Sequence, residues 1–165
     1  MKSPDGFGIR PAEASDIPLL LTLIRELAEH TRLSSSMEAT EDGLRSALFS
    51  DPPAARAILG ELQGKPVAFA VYFWNFSTFT GKPGLYLEDL FVNPDFRSRG
   101  LGRVILAHLA RLALSRGCGR MEWSVLNWNE RAIEFYASLG AEPLREWTKF
   151  RLSGDGLQLL ADGES

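Results

Sequence analysis

Three arginines and two glycines crowd into Arg97-Ser-Arg-Gly-Leu-Gly-Arg103, a run able to hold an anion. Glycines at 100 and 102 let backbone amides approach a ligand with no Cβ in the way. A helix starting there adds unpaired N–H groups and the positive end of its dipole. Cations are disfavoured at that end of a helix unless an anion shares the site, so plain solvated arginines are the weaker reading. A nucleotide P-loop is excluded, because no Gly-Lys-Ser/Thr follows to reach phosphate and magnesium. Just upstream, Glu88 and Asp89 interrupt the apolar run Tyr86 to Val92, where charge is costly unless it is paired or used. On a regular strand the two would point to opposite faces, so only one reaches a given site unless a bulge intervenes. The competing reading for each is an edge carboxylate paired with an arginine. Further on, Tyr136 follows Asn129 by seven residues, two turns along one helix face. That spacing alone fits a core tyrosine and a helix cap.

These groups need a strand that stops at Asn93-Pro94 and a helix that starts near Leu101. The apolar period supports both, since Leu101, Val104, Ile105, Leu109 and Leu112 share one helical face. Gly117 and Gly119 are expected to close this helix. Before it, the pattern predicts a strand at about Phe7 to Arg10. A helix carrying Leu20, Leu23, Ile24, Leu27 and Ala28 follows, with Ser15 as N-cap and Pro18 in its first turn. Thr40 caps a short helix through Leu48 that Asp51-Pro52-Pro53 ends. A hairpin of Arg56 to Leu62 and Val67 to Phe76 turns at Gln63-Gly64-Lys65-Pro66. After the long helix come a strand from Arg120 to Leu126, a helix from Asn127 or Asn129 to Leu139, and a last strand near Trp147 to Leu152. The expected organisation is one domain over residues 7–152 and a polar tail over 153–165 without order of its own, although Leu157, Leu159 and Leu160 could dock on a neighbour. Strands and helices alternate, which predicts an α/β protein, a mixed sheet with helices packed on it.

Composition narrows the function. At 165 residues, 45% hydrophobic and 24% charged, the chain is of ordinary globular make-up and large enough to bury a core. A net charge of -3 argues against broad nucleic-acid binding by counterion release. Cys118 is the one cysteine, which leaves no disulfide and no metal-ligand cluster, and points to a reducing, cytoplasmic setting. No signal peptide is read at the start, and no run reaches the roughly 20 apolar residues of a membrane helix. His108 lies on the apolar face of its helix and reads as a core histidine. Cys118 lacks an evident partner base, and the aromatics Tyr72, Phe73, Trp74, Phe76 and Phe79 read as packing first and a cation-stacking pocket second.

Arg97-x-x-Gly100-x-Gly102 between strand and helix, with Asn129-x-x-Ala132-x-x-x-Tyr136 downstream, resembles the GCN5-related N-acetyltransferase (GNAT) superfamily. Tyr86-Leu-Glu-Asp-Leu-Phe-Val92 and Asn127-Trp-Asn-Glu-Arg-Ala-Ile-Glu-Phe-Tyr-Ala-Ser-Leu-Gly-Ala141 are similar to its diamine (spermidine/spermine and thialysine) acetyltransferase branch, as are Ile9-Arg-Pro-Ala12 and Ile24-Arg-Glu-Leu-Ala28. The likeness runs from about Ile9 to Leu152. A short glycine pattern recurs by chance, whereas three segments in order carry weight.

The resemblance implies a twisted sheet of about six to seven strands with about four helices, acetyl-coenzyme A as donor, no metal, a small primary amine as acceptor, and a homodimer. It assigns Glu88 to the amine as base and Tyr136 to the departing thiolate as acid. It gives the coenzyme to the main chain of Leu90, Phe91 and Val92, to the loop Arg97, Ser98, Arg99, Gly100, Leu101, Gly102 and Arg103, and to Asn129, Arg131 and Ala132. Glu88, Asp89, His30, Thr31 and Trp123 fall to the acceptor. Two positions depart from the branch. His30-Thr31 stands where an aromatic and a glutamate are usual, and Asn127 where an acid is common, so a shorter or lysine-like amine fits better than spermine. The competing classes are a coenzyme-binding module with little turnover and a protein or peptide N-acetyltransferase.

Overall fold

The structure, a computed structural model, describes residues 4–163. They form two compact units that divide between Leu126 and Asn127. The first holds the sheet. Its elements in chain order are β1 (Phe7–Pro11), α1 (Ile17–His30), α2 (Glu41–Phe49), β2 (Arg56–Leu62), β3 (Lys65–Ser77), β4 (Lys82–Val92), α3 (Leu101–Ser115) and β5 (Arg120–Trp123). The strands lie in the order β1-β2-β3-β4-β5. All neighbours are antiparallel except β4 and β5, which run parallel through the crossover helix α3.

Local chemistry accounts for the junctions. Gln63 and Gly64 both take positive φ, 52° and 77°, as a tight two-residue hairpin turn requires. Thr40 Oγ1 accepts from Gly43 N–H at 3.1 Å and caps α2. Ser15 is not the cap of α1: it lies in a 3₁₀ turn, Ala14–Asp16, and α1 starts at Ile17 with Pro18 in its first turn. Arg10 pins that turn to the sheet, with Nη1 2.6 Å from Asp16 and Nε 2.8 Å from Glu61.

One apolar cluster joins α1 and α2 to the sheet: Leu20 and Leu23 of α1, Leu48 of α2, Leu59 of β2, Phe69 of β3 and Phe91 of β4. Phe69 and Phe91 are cross-strand partners with ring centroids 6.0 Å apart. Leu101, Ile105 and Leu109 of α3 are buried, as are Leu85 and Leu87 of β4. Because Phe69 is fully buried at the centre of the cluster that seats β4, Phe69→Ala is expected to lower stability by about 3–5 kcal/mol. Urea unfolding with an unchanged slope checks this; a loss under about 1 kcal/mol would mean the cluster is not what holds β4.

The second unit contains α4 (Glu130–Ala137) and α5 (Asp155–Ala161). Two expectations need correction here. Among the described residues the sheet has five strands rather than six to seven, and no strand forms over 147–152. A strand exists through a ladder partner, and among the described residues this stretch has none; Phe150 there is 89% exposed. Conversely, the tail expected to lack order carries α5, with Asp155 in its first turn and Gln158 bonded one turn on to Asp162 at 2.9 Å. Including α5, the α-helices among the described residues number five.

Candidate active site

The interruption of β4 at Glu88 organises the site. Val71 opposes Asp89 and the next pair is Tyr72 with Leu87, so Glu88 is an extra residue without a cross-strand partner. This is a β-bulge, and it resets the alternation of side chains. Asp89 consequently falls on the face of Phe69, Val71 and Phe91, the face of the α1–α2 cluster. Glu88 is exposed and Asp89 partly buried. Burial first, and the Glu88 charge second, push the Asp89 carboxyl up to about 6. Among the described residues neither carboxylate forms an ion pair, which removes the arginine-paired reading of both.

A measurable consequence follows for Asp89. Its folded pKa lies above the unfolded value of 3.8, so the folded state binds the proton more tightly. Stability associated with this group is greatest below about pH 4 and declines as pH rises through 6. Asp89→Asn, neutral at every pH, should therefore be more stable than wild type by about 2 kcal/mol at pH 8 and nearly equal to it at pH 4. Paired thermal melts across that range test it; a difference independent of pH would contradict it.

Beyond the bulge, one edge of β4 has no ladder partner among the described residues. Strand β5 pairs only with Gly84 through Leu87, so its ladder stops where the bulge begins. On the β3 side, Asn93 N–H donates to Val67 O at 2.9 Å. Antiparallel bonds alternate, so Asp89 and Phe91 bond toward β3 while Leu90 and Val92 turn their main-chain groups to the open edge. That edge can take an extended, amide-bearing chain as an added strand.

The chain then passes through a short 3₁₀ turn, Pro94–Phe96, to the loop. Ser98 takes φ 63° and Gly100 φ 77°, the left-handed region that favours glycine. A Cβ on Gly100 would meet nothing within 4 Å, so the requirement at 100 is conformational. The first helical bond of α3 is Val104 N–H to Gly100 O at 3.1 Å, leaving the N–H groups of Leu101, Gly102 and Arg103 directed ahead of the helix. Gly100 and Arg103 are exposed. This is an anion cradle made of backbone, and the flanking arginine side chains mostly turn elsewhere. Arg99 lies over the Phe96 ring at 5.3 Å and reaches Asp95 O at 3.4 Å. Arg97 turns back to β4 and α1, donating from Nε to Val92 O at 2.8 Å. Its Nη1 is 3.1 Å from His30 Nε2.

The other expected residues fall as follows. Thr31 Oγ1 donates to Leu27 O at 2.8 Å, back onto its own helix. Trp123 ends β5 opposite Leu87. In the second unit, Asn129 Oδ1 accepts from Ala132 N–H at 3.2 Å and caps α4; Arg131 and Ala132 lie in its first turn. Tyr136 sits on α4 with its ring 5.4 Å from Phe135, and burial raises its phenol above 10. His108 is partly buried and held below its ordinary pKa by that burial, then by Arg111, as a core histidine would be. Two contacts escaped sequence reasoning. Asn93 Nδ2 donates to Glu26 Oε2 at 3.2 Å, and Tyr86 and Ser124 hydroxyls meet at 2.9 Å. A strand-terminal Asn next to a Pro was the available signal for the first; the second depends on strand register.

The profile of the Acetyltransferase (GNAT) family matches residues 20–141. Thialysine N-epsilon-acetyltransferase of Bos taurus is 36% identical over 164 residues, 93% of this chain and 96% of its own length. L-ornithine N5-acetyltransferase NATA1 of Arabidopsis thaliana is 31% identical, over 92% and 86% of the two chains. Among solved structures, an integron cassette protein from the mobile metagenome of V. cholerae superposes with a TM-score of 0.79 at 29% identity, covering 96% of this chain and 99% of that one. A bulged strand with an open edge, running into an amide-lined helix start, is thus accompanied by similarity along nearly the whole sequence, and the chain belongs to the GNAT acetyltransferase family.

Proposed function

We propose that this acetyltransferase transfers the acetyl group of acetyl-coenzyme A to the side-chain amine of a small, lysine-like amino acid or short diamine, by direct attack with both substrates bound. The observation that carries this is the bulge at Glu88, which ends the β5 pairing and puts an unpaired carboxylate beside an open amide edge. The coenzyme supplies an activated acetyl thioester. The amides of Leu101, Gly102 and Arg103 fit its pyrophosphate and the edge at Leu90 and Val92 fits its pantetheine arm, both on the geometry above. Glu88 attracts the cationic amine and takes its proton, directly or through water. The main-chain N–H of Leu90 donates to the carbonyl oxygen as negative charge develops there. Tyr136 is assigned the proton for the departing sulfur by its position in the family motif, and its raised pKa keeps it a donor throughout neutral pH. None of these steps uses a metal.

The lysine-like acceptor is supported from two sides. The relatives named above act on thialysine and on ornithine, and Thr31 offers no negative charge for the far ammonium of a polyamine. We also infer a cytoplasmic homodimer, from the family resemblance and the single cysteine; no helix among the described residues is long and apolar enough to cross a membrane. Release of free thiol from acetyl-coenzyme A should be measured across thialysine, ornithine, lysine, spermidine, spermine and a peptide. Thialysine or ornithine should exceed spermine in kcat/KM by about tenfold or more, the effect of one favourable charge contact. Preference for spermine would overturn the acceptor assignment. Release by none of them, with the coenzyme still bound, would leave a binding module.

A further inference from the structure

Arg97 opens the family motif and was expected to face phosphate, yet its guanidinium contacts groups of β4 and α1. Nε donates to Val92 O at 2.8 Å, Nη1 meets His30 Nε2 at 3.1 Å, and the guanidinium carbon stands 5.7 Å from the Phe91 ring centre. We propose that Arg97 is a positioning residue for acetyl transfer, one that ties the coenzyme edge of β4 to the end of α1 through Val92 and His30 instead of binding phosphate. The proposal rests on the coenzyme assignment above.

Electrostatics favours this placement. A cation is repelled by the start of α3 and attracted to the last turn of α1, where His30 is the final helical residue. Arginine is donor-only, so the bond to His30 requires a lone pair on Nε2 and places the imidazole proton on Nδ1. The planar fork reaches a carbonyl and an imidazole at once, which a lysine ammonium on its flexible stem does not reproduce. A second link runs in parallel, from Asn93 Nδ2 to Glu26 Oε2, so two successive turns at the end of α1 hold the strand end. Val92 O lies on the open edge. With that oxygen engaged by Arg97, Val92 contributes its N–H to an added strand while Leu90 retains both main-chain groups. Arg97 in this way sets the register in which an amide-bearing arm can pair. It also explains a histidine at position 30, where the related branch uses an aromatic.

The test compares Arg97→Ala, Arg97→Lys, His30→Ala, His30→Gln and the Arg97→Ala/His30→Ala double variant in the full chain. Steady-state KM is read with acetyl-coenzyme A and with acetyl-pantetheine, which has no phosphate, and binding of 3′,5′-adenosine diphosphate is measured alongside. Arg97→Ala should raise KM about tenfold for both acetyl donors, the effect of one charged hydrogen bond, with little change for the nucleotide. Arg97→Lys should not restore it. His30→Ala should give a smaller rise that disappears in the Arg97→Ala background, since the pair acts as one unit, and His30→Gln, which keeps an acceptor, should recover most of the loss. Loss confined to phosphate-bearing ligands, full rescue by lysine, or additive effects would each overturn the proposal. If Arg97→Ala does not fold, the lysine and His30 variants decide by the same criteria. Failure of the wild-type chain to bind acetyl-coenzyme A would strike the proposed function, a separate outcome.

Discussion

Tyr136→Phe is expected to lower kcat by about 10²–10⁴-fold, the usual worth of a positioned proton donor, with KM for acetyl-coenzyme A changed less than twofold. The substitution removes one oxygen and keeps the ring that packs against Phe135 at 5.4 Å. Burial raises the phenol above 10, and a raised acid pKa means the neutral, donating form persists to higher pH. Wild-type turnover should accordingly keep this donor to a higher pH than an ordinary phenol would. The requirement for an acid depends on how poor the leaving thiolate is. An acetyl thioester of a more acidic thiol should then narrow the gap between variant and wild type. A gap that stays constant, or turnover that is unaltered, would remove the proton-donor role and leave Tyr136 a partly buried packing aromatic.

The sequence and the structure diverge where register, rather than composition, decides. Thr40, Gln63-Gly64 and Asn129 state their roles locally, through side-chain capping and positive φ, and each does in the structure what its type predicts. The strand-loop-helix of residues 84–103 is equally local, since period, proline and glycine mark every boundary. The bulge is not. Nothing within Tyr86 to Val92 says that β3 offers one residue where β4 offers two; that follows from pairing Val71 with Asp89 and Tyr72 with Leu87. Regular alternation places Glu88 and Asp89 on opposite faces unless a bulge intervenes, and only the pairing shows that one does, leaving Glu88 exposed without a cross-strand partner and Asp89 partly buried opposite Val71. Arg97 shows the same limit, because a guanidinium with a flexible stem chooses among partners that only the fold brings near, here Val92 and His30. The segment 147–152 has strand-like residues, yet among those described it has no ladder partner, and propensity without pairing forms no strand.

Glu88→Gln should lower kcat/KM by about 10²–10³-fold at pH 7, and the pH dependence of that deficit identifies its cause. A lysine-like acceptor titrates near about 10.4, so at pH 7 nearly all of it is the ammonium and attack requires a base. As pH rises toward 9.5 the free amine becomes abundant in solution and the base matters less. The deficit of Glu88→Gln should thus shrink by at least tenfold over that interval. A deficit that stays constant would assign Glu88 to holding the ammonium rather than deprotonating it. Asp89→Asn supplies the comparison, because Asp89 carries the raised pKa, about 6, and either carboxylate alone has the chemistry for the task. Geometry favours Glu88: it is the residue without a cross-strand partner, at the point where β5 leaves the sheet, whereas Asp89 opposes Val71 on the face of the α1–α2 cluster. The expected order is therefore a large loss for Glu88→Gln and less than about tenfold for Asp89→Asn. The reverse order would move the base one residue along the strand and make the elevated pKa of Asp89 part of catalysis.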